Sequence, residues 1–167
     1  AKSHAMVMLI DNSASMMHAR ASIITQVLNL AMFCKRVNIP FDVYSFTSGW
    51  VNEPVAEHIR RDAFDEDAPV ENLMNNSIRL VHVLSSTFSK RDYEEAYRAL
   101  FDLTLRIPGS CGEFDTMSST PLNGILTGMH MILKDFIRKN SVQKPIFTVL
   151  SDCDSNQRTV DRDLFRI

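Results

Sequence analysis

The sequence predicts an α/β fold of three layers, with helices on both faces of a central sheet. Three observations lead there. The run AMVMLI, residues 5 to 10, is continuously apolar, as in a strand of a parallel sheet buried on both faces. From about Met16 to Val37 the apolar residues Ile23, Ile24, Val27, Leu28, Leu30, Ala31 and Cys34 recur at helical spacing. Strand-like and helix-like segments then alternate to the end of the chain, which is the pattern of a layered α/β sheet.

The elements follow in order. The first strand, residues 5 to 10, runs into Asp11. The first helix ends at Asn38 and Pro40. FDVYSFTS, residues 41 to 48, alternates apolar and polar residues, is rich in aromatic and β-branched types, and reads as a second strand. Residues 49 to 77 are a polar excursion with Gly49, Pro54, Pro69 and the acidic run Asp65-Glu66-Asp67, and a short helix fits around Val55 to Arg61. The acidic run is most simply a solvated loop. A third strand follows at IRLVHVLS, residues 78 to 85, and a helix at about Lys90 to Leu105, stopped before Pro108-Gly109. The loop GSCGEFDTMSST meets Pro121, well suited to the first position of a helix that buries Leu122, Ile125, Leu126, Met129, Ile132 and Leu133. PIFTVLSD, a fourth strand, again ends in an aspartate, Asp152.

A chain of 167 residues suits one domain, taken as residues 1 to 167, and can bury a real core without staples. With 45% hydrophobic and 23% charged residues it reads as a soluble globular protein. The net charge of -2 gives no bulk basic surface for nucleic acid. No apolar run approaches the roughly 18 residues of a membrane helix. Three widely spaced cysteines, Cys34, Cys111 and Cys153, do not make a disulfide framework and point to a reducing, cytoplasmic setting. There is no signal peptide and no initial Met, so a piece of a longer protein is expected.

The chemistry gathers at strand ends. In open α/β sheets, ligands collect at the carboxyl ends of strands, and both Asp11 and Asp152 sit there. A hard divalent cation takes oxygen ligands in near-octahedral geometry and keeps several waters. In DNSAS, Asp11 offers charge, and Ser13 and Ser15 offer neutral hydroxyls. Thr120 offers another hydroxyl just before a helix, and Asp152 completes the set directly or through water. Two carboxylates leave one positive charge on the ion, which would attract an acidic group from outside. The plainer alternative is that Ser13 or Ser15 caps the first helix and Thr120 the later one.

On these residues the chain resembles the von Willebrand factor A family, the fold of integrin I domains. The family's metal-ion-dependent adhesion site is built from D-x-S-x-S, a separate Thr and a later Asp. These correspond to Asp11, Ser13 and Ser15 in DNSAS, Thr120 in SSTPLNGIL and Asp152 in TVLSDCDSN. The intracellular branch is the closer likeness: MLIDNSASM and STPLNGIL resemble the A domains of cobalt-chelatase large subunits and related bacterial and phage proteins. The resemblance implies a Rossmann-like, mostly parallel sheet with one antiparallel edge strand. It implies Mg²⁺, with Mn²⁺ or Ca²⁺ as substitutes, ligated by the two serines and the threonine, with the aspartates binding directly or through water. It implies a non-catalytic protein-binding module whose ion takes a partner's Asp or Glu, the partner being an AAA+ ATPase of the chelatase type. Nucleic acid and membrane are not implied. Two departures stand out: Cys153 follows the last Asp where the family often has Gly, and Ala14 lies between the serines. A complete A domain also continues with further strands and a helix, so C-terminal sequence beyond residue 167 is expected.

The rival reading is a haloacid-dehalogenase-like, Mg²⁺-dependent phosphatase with Asp11 as nucleophile. Such enzymes usually place a second Asp two residues on, as general acid, and that position here is Ser13. The sequence shows no obvious His or Lys positioned to activate Ser13 or Ser15. A third reading keeps the fold with an ion site that is not used. Among other residues, Cys111 and Cys153 flank the site and read as inert thiols. His18 is a candidate rim residue, His82 a satisfied core or edge residue, and Asp115 and Asp154 are candidate partners for ligands or solvated loop positions. The five histidines show no zinc spacing, and the nine methionines suggest an adaptable core.

Overall fold

A computed structural model describes residues 2–48, 78–105, 120 and 122–152. The predicted helix at Val55 to Arg61, the acidic run at 65–67, and Cys111, Asp115, Cys153 and Asp154 lie outside the described residues.

The chain begins with β1 (Lys2–Asp11), a 3-10 turn (Ala14–His18) and α1 (Arg20–Arg36). There follow β2 (Phe41–Ser48), β3 (Ile78–Ser85), α2 (Lys90–Leu105), α3 (Leu122–Asn140) and β4 (Val142–Leu150). The strands form one sheet in the order β3-β2-β1-β4. β1 pairs parallel with both β2 and β4, while β2 and β3 are antiparallel. The sheet is therefore mixed and mostly parallel, and its antiparallel edge strand is β3.

The continuous apolar run at the start makes β1 an inner strand. Ala5, Val7, Met8 and Leu9 are fully buried, and side chains alternate between faces along a strand. Met8 and Ile10 pack in one cluster with Ile24, Val27, Leu28, Ala31 and Cys34 of α1 and with Tyr93 and Leu100 of α2. Ala5, Val7 and Leu9 pack in another, with Leu122, Ile125, Met129 and Phe136 of α3. Each large side chain buried this way contributes about 1.5–3 kcal/mol. The two clusters thus occupy opposite faces of β1. No described helix is long and apolar enough to cross a membrane.

Helix ends set the chain direction. Lys35 and Arg36 in the last turn of α1 complement its carboxyl-end dipole. Asn38 then adopts the left-handed region (φ 56°), which Asn tolerates better than most residues, and closes the helix where the sequence predicts. Ser141 (φ 50°) alone separates α3 from β4. With so short a link α3 must run back antiparallel to β4, so its first turn lies at the carboxyl end of β1 and β4.

Three boundaries differ from the sequence reading. β1 starts at Lys2 because it pairs with β4 from Lys2↔Val142 onward, and ladder bonds do not need apolar side chains. The expected helix from Met16 is divided into a 3-10 turn and α1, with Ala19 between them. β4 begins at Val142 instead of Pro145; Pro145 is accommodated within an edge strand of the described sheet, where its missing N–H is tolerated.

The topology creates one special place. From β1 the chain passes through α1 to β2 on one side. β4 lies on the other side of β1 and is reached from α3. The order of the sheet therefore reverses between β1 and β4, and a crevice at the carboxyl ends of such a pair is where α/β sheets bind ligands.

Candidate functional site

Asp11 is the last residue of β1 and only 2% exposed. One oxygen, Oδ1, accepts the Ser13 backbone N–H at 2.8 Å. The other, Oδ2, accepts the Ser151 hydroxyl at 2.5 Å. Both donors are neutral, and among the described residues no Lys, Arg or His forms an ion pair with Asp11. A buried carboxylate without a cation is costly, because hydrogen bonds from neutral groups only partly replace its hydration.

The turn after Asp11 gathers hydroxyls. Asn12 N–H bonds the Phe46 carbonyl at 2.8 Å, so the chain stays tied to β2 as it leaves β1. Ser13 is buried at the N-cap of the 3-10 turn in extended conformation (φ -81°, ψ 164°), yet its side chain makes no capping hydrogen bond. Its Oγ lies 3.0 Å from the Oγ of Ser15, and either can donate. Ser15 is exposed and sits inside the turn, not at its cap. The helix-cap alternative therefore does not describe these two serines. Met16 N–H reaches the Ser13 carbonyl at 3.1 Å to close the turn, and His18 is exposed at its far end.

Thr120 is 2% exposed and stands two residues before α3. The direction of α3 places it at the same end of the sheet as Asp11. Asp152 is exposed, two residues past β4. Because β1 and β4 are neighbours, the two predicted aspartates do end adjacent strands. The residue that reaches Asp11, however, is Ser151, which the sequence reading passed over. The parallel register pairs Ile10 with Leu150, so its next step sets Asp11 beside Ser151. That alignment was the available signal.

The donor set has the chemistry of a hard cation: carboxylate and hydroxyl oxygens without thiol or imidazole. No three His, Cys, Asp or Glu side chains gather as a metal group among the described residues, and a site with two carboxylates and three hydroxyls would not need them. Cys34 is buried in the α1 core, and burial pushes its thiol up from the ordinary range, as for an inert structural cysteine.

A second polar cluster lies at the opposite end of β2. Asp42 Oδ1 accepts the Ser85 hydroxyl at 2.5 Å and lies 3.3 Å from His82 Nε2. His82 stacks on Tyr44, ring centroids 4.5 Å apart. Burial first, then the charge and hydrogen bond of Asp42, push the Tyr44 phenol up to about 12. Ser85 Oγ also accepts the Thr87 N–H at 3.0 Å. This network joins β2 to β3 and accounts for His82 as a partnered residue of an edge strand of the described sheet, beside Asp42 and stacked on Tyr44.

No known protein family, no curated protein and no solved structure matches this chain.

Proposed function

We propose that the chain is a von Willebrand factor A-type domain with three Rossmann-like layers. It binds a Mg²⁺-type ion at Asp11, Ser13 and Ser15, with Thr120 and Asp152 completing the set, and through that ion ligates an Asp or Glu of a partner protein. One observation carries the reading. Among the described residues, a buried carboxylate with only neutral donors lies beside two serine hydroxyls that cap no helix, at the point where the strand order reverses. An ion there offsets the buried charge and uses two hydroxyl oxygens that, among the described residues, bond each other. The opposed clusters, with α1 and α2 on one face and α3 on the other, support the layered architecture. The donor types fit the ion: two carboxylates and neutral hydroxyls leave it electrophilic toward one more carboxylate.

The activity is ligation without turnover. Such phosphatases place a general acid two residues after the nucleophile, and that position here is Ser13, a neutral hydroxyl, which weighs against the phosphatase. The chelatase-type AAA+ partner and the cytoplasmic setting follow from the sequence resemblance and the cysteine usage. Calorimetry with Mg²⁺ and Mn²⁺ tests the proposal. Wild type should show saturable one-site binding that Asp11→Ala abolishes, and an absence of binding by the folded wild type overturns it.

A further inference from the structure

We infer that Ser151 is a positioning residue for the ion, fixing the Asp11 carboxylate from the neighbouring strand. The inference rests on the metal-binding reading above.

The geometry is direct. Ser151 Oγ donates to Asp11 Oδ2 at 2.5 Å across 140 residues of sequence. The Ser13 N–H holds Oδ1 at 2.8 Å from the other side. A carboxylate pinned at both oxygens cannot turn about its own bond. It still keeps acceptor capacity, because two oxygens offer about four lone-pair directions and the described residues use two. An ion or its bound water therefore meets a carboxylate already oriented.

The two pins differ in kind. The Ser13 N–H belongs to the turn that also carries the hydroxyls, so any substitution at that position other than proline retains it. The Ser151 hydroxyl comes from the residue just past β4 and belongs to a side chain, so substitution removes it while the Ser13 N–H stays in place. It lies one step beyond the β1–β4 ladder, which ends at Ile10↔Leu150, and the sheet itself sets its distance from Asp11. Hydrogen bonds that orient a metal's carboxylate ligand are typically worth 10–100-fold in affinity.

The test is Mn²⁺ affinity by calorimetry for wild type, Ser151→Ala, Ser151→Thr and Ser151→Val, with urea unfolding of the ion-free proteins alongside. Ser151→Ala should weaken binding roughly 10–100-fold. Thr, which restores the hydroxyl, should return affinity to near wild type. Val, matching Thr in shape without the hydroxyl, should stay as weak as Ala. The Thr–Val comparison reads the hydroxyl even where Ala loosens the loop, since both carry the same bulk. Equal affinity of Ala and wild type, or of Thr and Val, overturns the positioning role while leaving the ion site standing. A folded wild type that binds no Mn²⁺ overturns both.

Discussion

Asp11→Asn separates a carboxylate kept for an ion from one kept for structure. The amide preserves the local geometry: its oxygen can still accept the Ser13 N–H, and its NH₂ can donate to the Ser151 oxygen, since a hydroxyl both donates and accepts. What changes is charge. Hydrogen bonds to a charged group are worth about 1.5–3 kcal/mol and neutral ones about 0.5–1.5, so two downgraded bonds cost roughly 2–3 kcal/mol in all. Against that, burying an ion costs several kcal/mol even after relaxation, and Asp11 is 2% exposed. The net expectation in chelator is an Asp11→Asn protein more stable than wild type by about 1–3 kcal/mol. In a chain of this size that raises the melting temperature by about 2–4 °C per kcal/mol. Mn²⁺ at 100 times its dissociation constant should then stabilise wild type by about 2.7 kcal/mol and leave Asp11→Asn unmoved. Urea unfolding with and without chelator reads both effects, and an unchanged slope shows that the variant unfolds from the same compact state. If Asp11→Asn is less stable than wild type in chelator by more than about 1 kcal/mol, the charge is structural and the argument from its isolation fails.

Two further predictions concern the cluster between β2 and β3. Ser85→Ala removes a fully buried hydroxyl that bonds both Asp42 and the Thr87 N–H, and should cost about 2–4 kcal/mol in urea unfolding; a loss below about 0.5 kcal/mol would be that of an ordinary surface substitution and would refute the network. Tyr44 should ionise late in an absorbance titration, near pH 12. Its folded-state value is raised, so its contribution to stability is intact below about pH 10 and is lost as pH rises through about 12. Asp42→Asn should lower that midpoint only in part, because burial, the larger cause, remains; an unchanged midpoint would remove Asp42 as a cause.

The parts of the fold that were legible have strong local signals. β2, β3 and α2 match their predicted ranges of 41–48, 78–85 and 90–105. Alternation marks β2, and Pro40 stands just before it. α2 has an N-terminal signal in Ser89, whose Oγ accepts the Asp92 N–H at 3.2 Å. The parts that were not legible depend on pairing or on local energy balances. Lys2 and His4 are strand residues because β4 lies beside them, not because of their side chains. The 3-10 turn imitates the first turn of α1, since Met16 is apolar and at helical spacing. It is set apart only by backbone bonds, Ala19 N–H to the Met16 carbonyl at 3.0 Å and then Ile23 N–H to the Ala19 carbonyl at 3.0 Å. Short 3-10 segments at helix entries are common, and no composition marks them.

The same distinction explains how the site was read. Residue type pointed to Asp152, because a carboxylate at a strand end is conspicuous and a serine is not. Register points to Ser151, because the parallel ladder sets it beside Asp11. The two assignments are compatible on electrostatic grounds. Two carboxylates side by side in a buried crevice repel each other until an ion lies between them, which would burden the ion-free protein. A serine against Asp11 and an exposed Asp152 avoid that: the buried partner is a neutral donor, and the second carboxylate lies at the surface. The chain bends at Ser151, just past the end of β4, so the alternation of a strand does not carry on to Asp152. On this geometry Asp11 supplies the fixed charge of the proposed site. In that proposal Asp152, exposed beyond the bend, would act directly or through water.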